Sequence, residues 1–344
     1  MQQTIFTGGY TKASKGIYIC EFDDEAKKIF IRGVEKNCKN PNFIAVNWKK
    51  NLLCALNENQ EHTWITLYKI FDSEKLTLLD SLEIGGKGPC HISIDEEGKR
   101  IFYANYESGD IGMVWIEGER LSKEVKRVYH QGRSITQRQK NAHPHGVHII
   151  YQNKLVVPDL GTDQIYIYDI SGRDLKFEEI IPVRAGDGPR HAVLHSNKKV
   201  LYVICELQNV IYTFILEGEK WKEIQRISIL PPEIPGEFIA GEVEVTWDGK
   251  WLLASTRTWG ENAEKEGYIS IFSIKEGGKL DYRQTVGSGG SHPRMFTITK
   301  NGKYVLAANQ YSDVLVVFTL DQITGELKRS CSVQIPEITC VVCE

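Results

Sequence analysis

The sequence predicts an all-β chain folded as a seven-bladed β-propeller, a single domain over residues 1–344, with its last blade closed by N- and C-terminal strands. Three observations lead there. A Pro- or Ala-led segment recurs six times in one register, each copy reads as strand, turn, strand, loop and strand, and the two chain ends carry complementary halves of a seventh copy.

The six copies open at Pro41, Pro89, Pro144, Pro189, Ala240 and Pro293. In each, ten residues separate that position from the one that opens the second strand: Asn51, Lys99, Lys154, Lys199, Lys250 and Lys303. The first strand is short and alternating, the turn after it is rich in Gly, Asn, Asp and Lys, and the next two strands are β-branched and aromatic. A weaker fourth strand precedes the following copy, as in "KLTLLDSLEIGG" before Pro89. Four strands repeating about every 45 to 55 residues is the period of a propeller blade. At the N-terminus, "TIFTGGYTKASKGIYICEF" aligns with the second and third strands of a blade, Tyr10 falling opposite Tyr106, and has no first strand before it. The C-terminal "IPEITCVVCE" supplies a Pro-led first strand. Joined, the two complete a blade and remove the sheet edge that an open array would expose.

Composition narrows the class of partner. Forty-two basic residues against forty-five acidic ones give a formal net charge of −3, with no basic tail or patch, which argues against nucleic acid. No apolar stretch approaches the roughly 20 residues of a membrane span. The opening "MQQTIFTGGY" lacks a charged region followed by an apolar one, so the expected location is the cytoplasm and the expected partner a small soluble molecule. Most of the eight cysteines sit in apolar runs such as "YVICEL", as buried free thiols do. Cys340 and Cys343 form a C-x-x-C without a second pair, and they read as the end of a strand.

The register also locates a site. In a propeller the first strand of each blade is innermost, and its entry loop opens on the same face as the loop between strands two and three. Directly after the leading residue come Asn42, Cys90, His145, Arg190, Gly241 and Arg294. Seven residues after the second-strand opener come Glu58, Tyr106, Glu206, Arg257 and Gln310, with Tyr10 from the split blade and Leu160 after a one-residue gap. Both sets converge on one mouth whose charge is a cationic excess, so an anionic small molecule is the expected guest.

Several of these residues carry alternative readings. In "AHPHGVHII", His143 and His145 alternate to one strand side and His148 to the other, which is poor geometry for a three-histidine metal site. His148 is expected to pack between blades, and His143 to serve beside the site or only in its loop. Arg190 and Glu206 share a blade, and either a structural ion pair or a catalytic group with its electrostatic partner fits them. Arg257, in "STRTWGENAEKEG", is expected on a long polar loop. Arg294, after "SHP", holds either the rim or an anion. Asp159 and Asp163 in "VPDLGTDQ" are expected to make Asx-type loop bonds, with calcium as the sharper alternative.

The motifs "RQKNAHPHGV", "VPDLGTDQIYIYD", "GPRHAVLH", "CELQN", "HPRMFTI" and "AANQYSDVLVVF" resemble the seven-bladed propeller lactonases, which include propeller-type 6-phosphogluconolactonases and carboxy-muconate cyclases. The likeness runs almost end to end. It implies catalytic positions at His145 (with His143 as the alternative in the H-P-H segment), Arg190, Glu206 and Arg257, the same four that register singles out. Tyr106, Arg294, Gln310 and His143 are expected to bind substrate. Relatives typically read S-N-R-G-H where this chain reads "STRTWGE", so the Arg is kept but its loop differs. The expected reaction is hydrolysis of a phosphorylated or carboxylated lactone, above all 6-phosphogluconolactone in the pentose phosphate route. His145 or Glu206 would act as base, Arg190 would carry the oxyanion, and Arg257 with Arg294 would hold the anionic group. No G-x-S-x-G elbow and no metal-ligand spacing is present, so neither a covalent intermediate nor a metal or other cofactor is expected. Lactonisation of an unsaturated dicarboxylic acid and a non-catalytic binding role are the alternatives.

Overall fold

Runs such as Val200–Cys205 and Tyr304–Asn309 are buried along their whole length, which is why they read as continuous apolar stretches and not as alternation. Each is the second strand of a four-stranded antiparallel sheet and is covered on both faces by neighbouring sheets. In the computed structural model, which describes residues 2–59, 61–72, 75–151, 153–260 and 265–344, seven such sheets form a ring of blades. Blades one to six start with the strands Pro41–Asn47, Pro89–Ile94, His148–Ile150, Pro189–Leu194, Phe238–Val245 and Pro293–Ile298. The outer strands, Lys28–Glu35 for example, are mostly exposed or half-buried.

The core lies between blades. Ile5, Cys20 and Phe22 of the split blade pack on Tyr304, Leu306 and Leu315 of blade six, and Tyr202 and Ile204 of blade four pack on Val243 and Leu252 of blade five. The seventh blade is the expected composite. Ile338–Cys343 is its inner strand and pairs antiparallel with Gln2–Gly9, from Ile5↔Cys343 to Gly9↔Ile338. Gly8 permits this closure, since a Cβ there would lie 2.1 Å from Pro41 O and 2.8 Å from Cys340 Sγ. All eight cysteines are free, and Cys340 and Cys343 sit on that last strand. No helix among the described residues is long and apolar enough to cross a membrane.

Candidate functional site

The residue after the leading proline is set apart by the backbone. In blades one, two, four and six the pairing of strands one and two shifts between Pro41/Phe43, Pro89/His91, Pro189/His191 and Pro293/Met295. Asn42, Cys90, Arg190 and Arg294 are thus the extra residues of β-bulges, which re-aim a side chain out of the ladder. A collar of contacts joins successive blades at this level. Thr339 Oγ1 donates to Asn42 O at 2.8 Å, Asn42 Nδ2 to Pro89 O at 2.6 Å, and Cys90 Sγ to Pro144 O at 3.6 Å. Arg190 Nη1 lies against His145 Nε2, Arg190 Nε donates to Gly241 O at 2.8 Å, and Ser255 Oγ to Pro293 O at 3.1 Å. Arg294 closes the circle over the Tyr10 ring, 5.8 Å from its centroid.

The second set of register positions meets this collar. The N–H of Tyr106, Leu160, Glu206 and Gln310 donates to the carbonyl just before the leading proline, at Gly88, His143, Gly188 and His292, over 2.7, 3.0, 2.7 and 3.0 Å. Tyr10 does the same to Glu337 O at 3.2 Å. Side chains 16 residues apart are thereby paired within blades: Asn42 Nδ2 with Glu58 Oε1 at 3.0 Å, Arg190 Nη1 with Glu206 Oε2 at 2.7 Å, and Arg294 Nη1 with Gln310 Oε1 at 3.4 Å.

Glu206 is the hub. Only 1% exposed, it receives Arg190, Arg257 Nη2 at 3.2 Å and Arg138 Nη1 at 2.6 Å, with His145 Nε2 at 3.8 Å. Burial alone would raise its pKa, but Arg190, Arg257 and Arg138 outweigh that and hold the carboxyl well below the usual carboxylate range. Burial, then the charge of Arg190, pushes His145 well below the ordinary histidine value, so its ring is neutral at pH 7. The same two causes bring Arg257 down to about 9, and it remains cationic at neutral pH. Three cations on one carboxylate leave the mouth with net positive charge. Arg257 Nε and His292 Nδ1, both buried, have no hydrogen-bond partner. The unpaired buried Arg257 Nε–H beside excess positive charge calls for an acceptor oxygen from a guest.

Most predicted site residues come together here, with corrections to three. Arg257 is not on a loop. The inner strand Phe238–Val245 extends far enough for Ile239 to pair with Arg257 inside the strand Trp251–Thr258, and the guanidinium is buried on Glu206. Residues 261–264 of the expected loop lie outside the described residues. His143 and His145 do not follow strand alternation, because the regular inner strand begins only at His148 and Pro144 makes a lone bridge to Asp159. His143 instead stacks on Tyr106 at 4.3 Å and bonds Tyr106 O through Nδ1 at 2.7 Å, while His145 meets the same ring edge-on at 5.3 Å. His148 does pack between blades, against His91 at 4.6 Å and His191 at 5.5 Å. Asp159 accepts from the N–H of Gly161 and Thr162, as an Asx-type loop residue does, and from that of His143, whereas Asp163 departs from that expectation and accepts from Gly186 and Gly188, 23 and 25 residues on, so that it ties its loop to the entry of the next blade. Among the described residues no group of three or more His, Cys, Asp or Glu is arranged to hold a metal.

Two residues escaped the register. Arg138 comes from residues 130–143, an entry segment longer than those before Pro89 and Pro189 and with no counterpart to align there, although it opens the "RQKNAHPHGV" motif. His292 precedes the leading Pro293 at φ 60° and stacks on Tyr311 at 4.0 Å. A separate cavity of about 850 Å³ opens at the other end of the channel, lined by Phe43, His91, His148, Glu242, Glu244 and Trp247 among others.

Residues 4–343 match the family described as "Lactonase, 7-bladed beta-propeller". The chain is 30% identical over 351 residues to the uncharacterized protein YwcC of Lactococcus lactis, covering 99% of each. It is 28% identical over 344 residues to a 6-phosphogluconolactonase of Bacillus subtilis, covering 98% of this chain and 97% of that one. A crystal structure of a putative 6-phosphogluconolactonase from Bacteroides fragilis superposes with a TM-score of 0.89 at 28% identity, covering 100% of this chain and 98% of the other.

Proposed function

The chain belongs to the seven-bladed β-propeller lactonase family, and from that premise we propose that its mouth hydrolyses an anionic sugar lactone, 6-phosphogluconolactone, to 6-phosphogluconate. The observation that carries the reading is the cluster of Arg190, Arg257, Arg138 and His145 around the buried Glu206. Its excess positive charge suits a phosphorylated guest, and the name of the Bacillus subtilis relative supports the same substrate.

Lactone opening needs an activated water, a place for the oxyanion and a proton for the departing ring oxygen. His145 is the base. Glu206 has its oxygens engaged by three guanidinium groups, whereas the His145 ring, neutral at pH 7, turns its Nε2 toward Arg190, where a carbonyl would enter. Substrate entering between Arg190 and His145 takes the Arg190 donor onto its carbonyl oxygen and frees the His145 Nε2 lone pair. Water then loses a proton to His145 as its oxygen bonds the carbonyl carbon. The resulting oxyanion is met by Arg190 and Arg257, which Glu206 keeps in place. Collapse breaks the ring C–O bond, and the proton on His145 passes to the leaving oxygen. Tyr106, His143, Arg294 and Gln310 shape the mouth that receives the sugar.

The test is hydrolysis of freshly prepared 6-phosphogluconolactone, corrected for its spontaneous opening, beside cyclisation of a muconate. Acceleration of the first is expected. Muconate turnover with no sugar-lactone hydrolysis would replace the reading with a lactonising one.

A further inference from the structure

Of the three arginines on Glu206, one is built differently. The Arg190 and Arg257 side chains are 3% and 5% exposed and arise from propeller strands, whereas that of Arg138 is 31% exposed. It is carried by the short 3-10 turn Gln137–Gln139, inside an entry segment, residues 130–143, much longer than residues 84–88 or 183–188 at the neighbouring blades. This turn is pinned and not loose. Gln139 Nε2 donates to Leu160 O at 2.9 Å from a buried position, and Ser134 N donates to Gln139 O at 2.9 Å.

The pinned turn presents a guanidinium with donors to spare. Arg138 Nη2 reaches Tyr106 OH over a long 3.4 Å. Its Nη1 forms an ion pair with Glu206 Oε1 at 2.6 Å. The plane lies 5.1 Å from the centroid of the Trp259 ring, itself 42% exposed. Among the described residues its five N–H groups are met by one ion pair and one long hydrogen bond, which leaves part of the fork free, and a planar fork fits phosphate or carboxylate oxygens in pairs. Glu206 already has Arg190 and Arg257 as counter-charges, so Arg138 can turn toward a second anion without leaving that carboxylate unpaired.

We propose that Arg138, braced by Trp259 and Tyr106, is the specificity-determining residue that binds the anionic substituent of the substrate and so selects charged over uncharged lactones. The inference rests on the lactonase reading above. It moves the anion-binding role from the buried Arg257 to the arginine that meets solvent, and leaves Arg257 to the reacting centre.

The experiment compares Arg138→Gln and Arg138→Lys with the wild type on 6-phosphogluconolactone and on uncharged gluconolactone, with thermal unfolding to confirm folding. For Arg138→Gln, kcat/KM on the phosphorylated lactone is expected to fall about ten- to a hundredfold further than on the uncharged lactone, the size of a lost charge-assisted contact on top of any loss both substrates share. Arg138→Lys, which keeps a point charge without the fork, falls between. Equal losses on both lactones would overturn the proposal, because Arg138 would then act only by positioning Glu206; so would no loss on either. A wild type that opens neither lactone would defeat the lactonase reading itself. In that event calorimetric binding of 6-phosphogluconate decides Arg138 separately: weakening of tenfold or more in Arg138→Gln sustains the anion role, and unchanged affinity ends it.

Discussion

Replacing Arg190 removes three contacts at once, since its Nε bonds Gly241 O at 2.8 Å and its Nη1 meets both Glu206, at 2.7 Å, and His145. If the guanidinium carries the oxyanion, its loss takes away about 3 kcal/mol of transition-state stabilisation, and kcat falls on the order of 150-fold. The fold should tolerate the change better than the reaction does. Glu206 keeps Arg257 at 3.2 Å and Arg138 at 2.6 Å, so it is not left as an orphaned buried charge, whose cost would be about 3–5 kcal/mol. The stability loss should therefore be nearer 2 kcal/mol, from the collar bond to Gly241 and the vacated volume, a Tm drop of a few degrees. The assay is initial-rate hydrolysis of the lactone followed by proton release, for wild type, Arg190→Ala and Arg190→Lys, with background opening subtracted. KM should move far less than kcat. An unchanged kcat with a raised KM would refute the transition-state role and leave Arg190 as a binding or collar residue.

Other expectations follow from the same residues. With His145 held neutral by burial and by Arg190, kcat/KM should stay level from pH 8 to 6 and decline only below the ordinary histidine range; an acid limb centred at 6.5 or above would count against His145 as base. Burial, first among the causes, also lowers His91, His148, His191 and His292, so below pH 6.5 the unfolded chain takes up protons that the folded one refuses. Stability should then fall with pH by up to about 1.4 kcal/mol per pH unit for each such histidine, and a Tm that held steady between pH 7 and 5 would contradict this. Gly8→Ala should strain the junction of the seventh and first blades, where the added Cβ meets Pro41 O and Cys340 Sγ, at a cost of about 1–3 kcal/mol. Thermal unfolding reads it, and an unaltered Tm would mean that the closing blade yields more easily than its contacts indicate.

The blade count and the composite seventh blade were legible because both come from a repeat, and a repeat needs no knowledge of long-range contacts. The same holds for Asn42–Glu58, Arg190–Glu206 and Arg294–Gln310, where one 16-residue spacing returns in three blades. What the repeat could not carry was missed. Arg138 lies in an entry segment with no counterpart to align before Pro89 or Pro189, 68 residues from the carboxylate it faces. Arg257 was expected on a loop because its polar neighbours look like one, yet pairing with Ile239, a long-range contact, keeps it in a strand. Strand alternation failed for His143 and His145 because proline and a lone bridge to Asp159 interrupt the ladder just where the parity argument needs it regular.

The central claim is that the mouth around Glu206 opens a sugar lactone, and its most direct test sets wild type against Glu206→Gln on freshly made 6-phosphogluconolactone. The glutamine keeps the shape but removes the charge that gathers Arg190, Arg257 and Arg138. The account predicts a wild-type rate well above spontaneous opening and its loss, by about a hundredfold or more, in a variant that still unfolds cooperatively. A folded variant as fast as the wild type would place the chemistry elsewhere, and a wild type no faster than background would remove this lactone as the substrate.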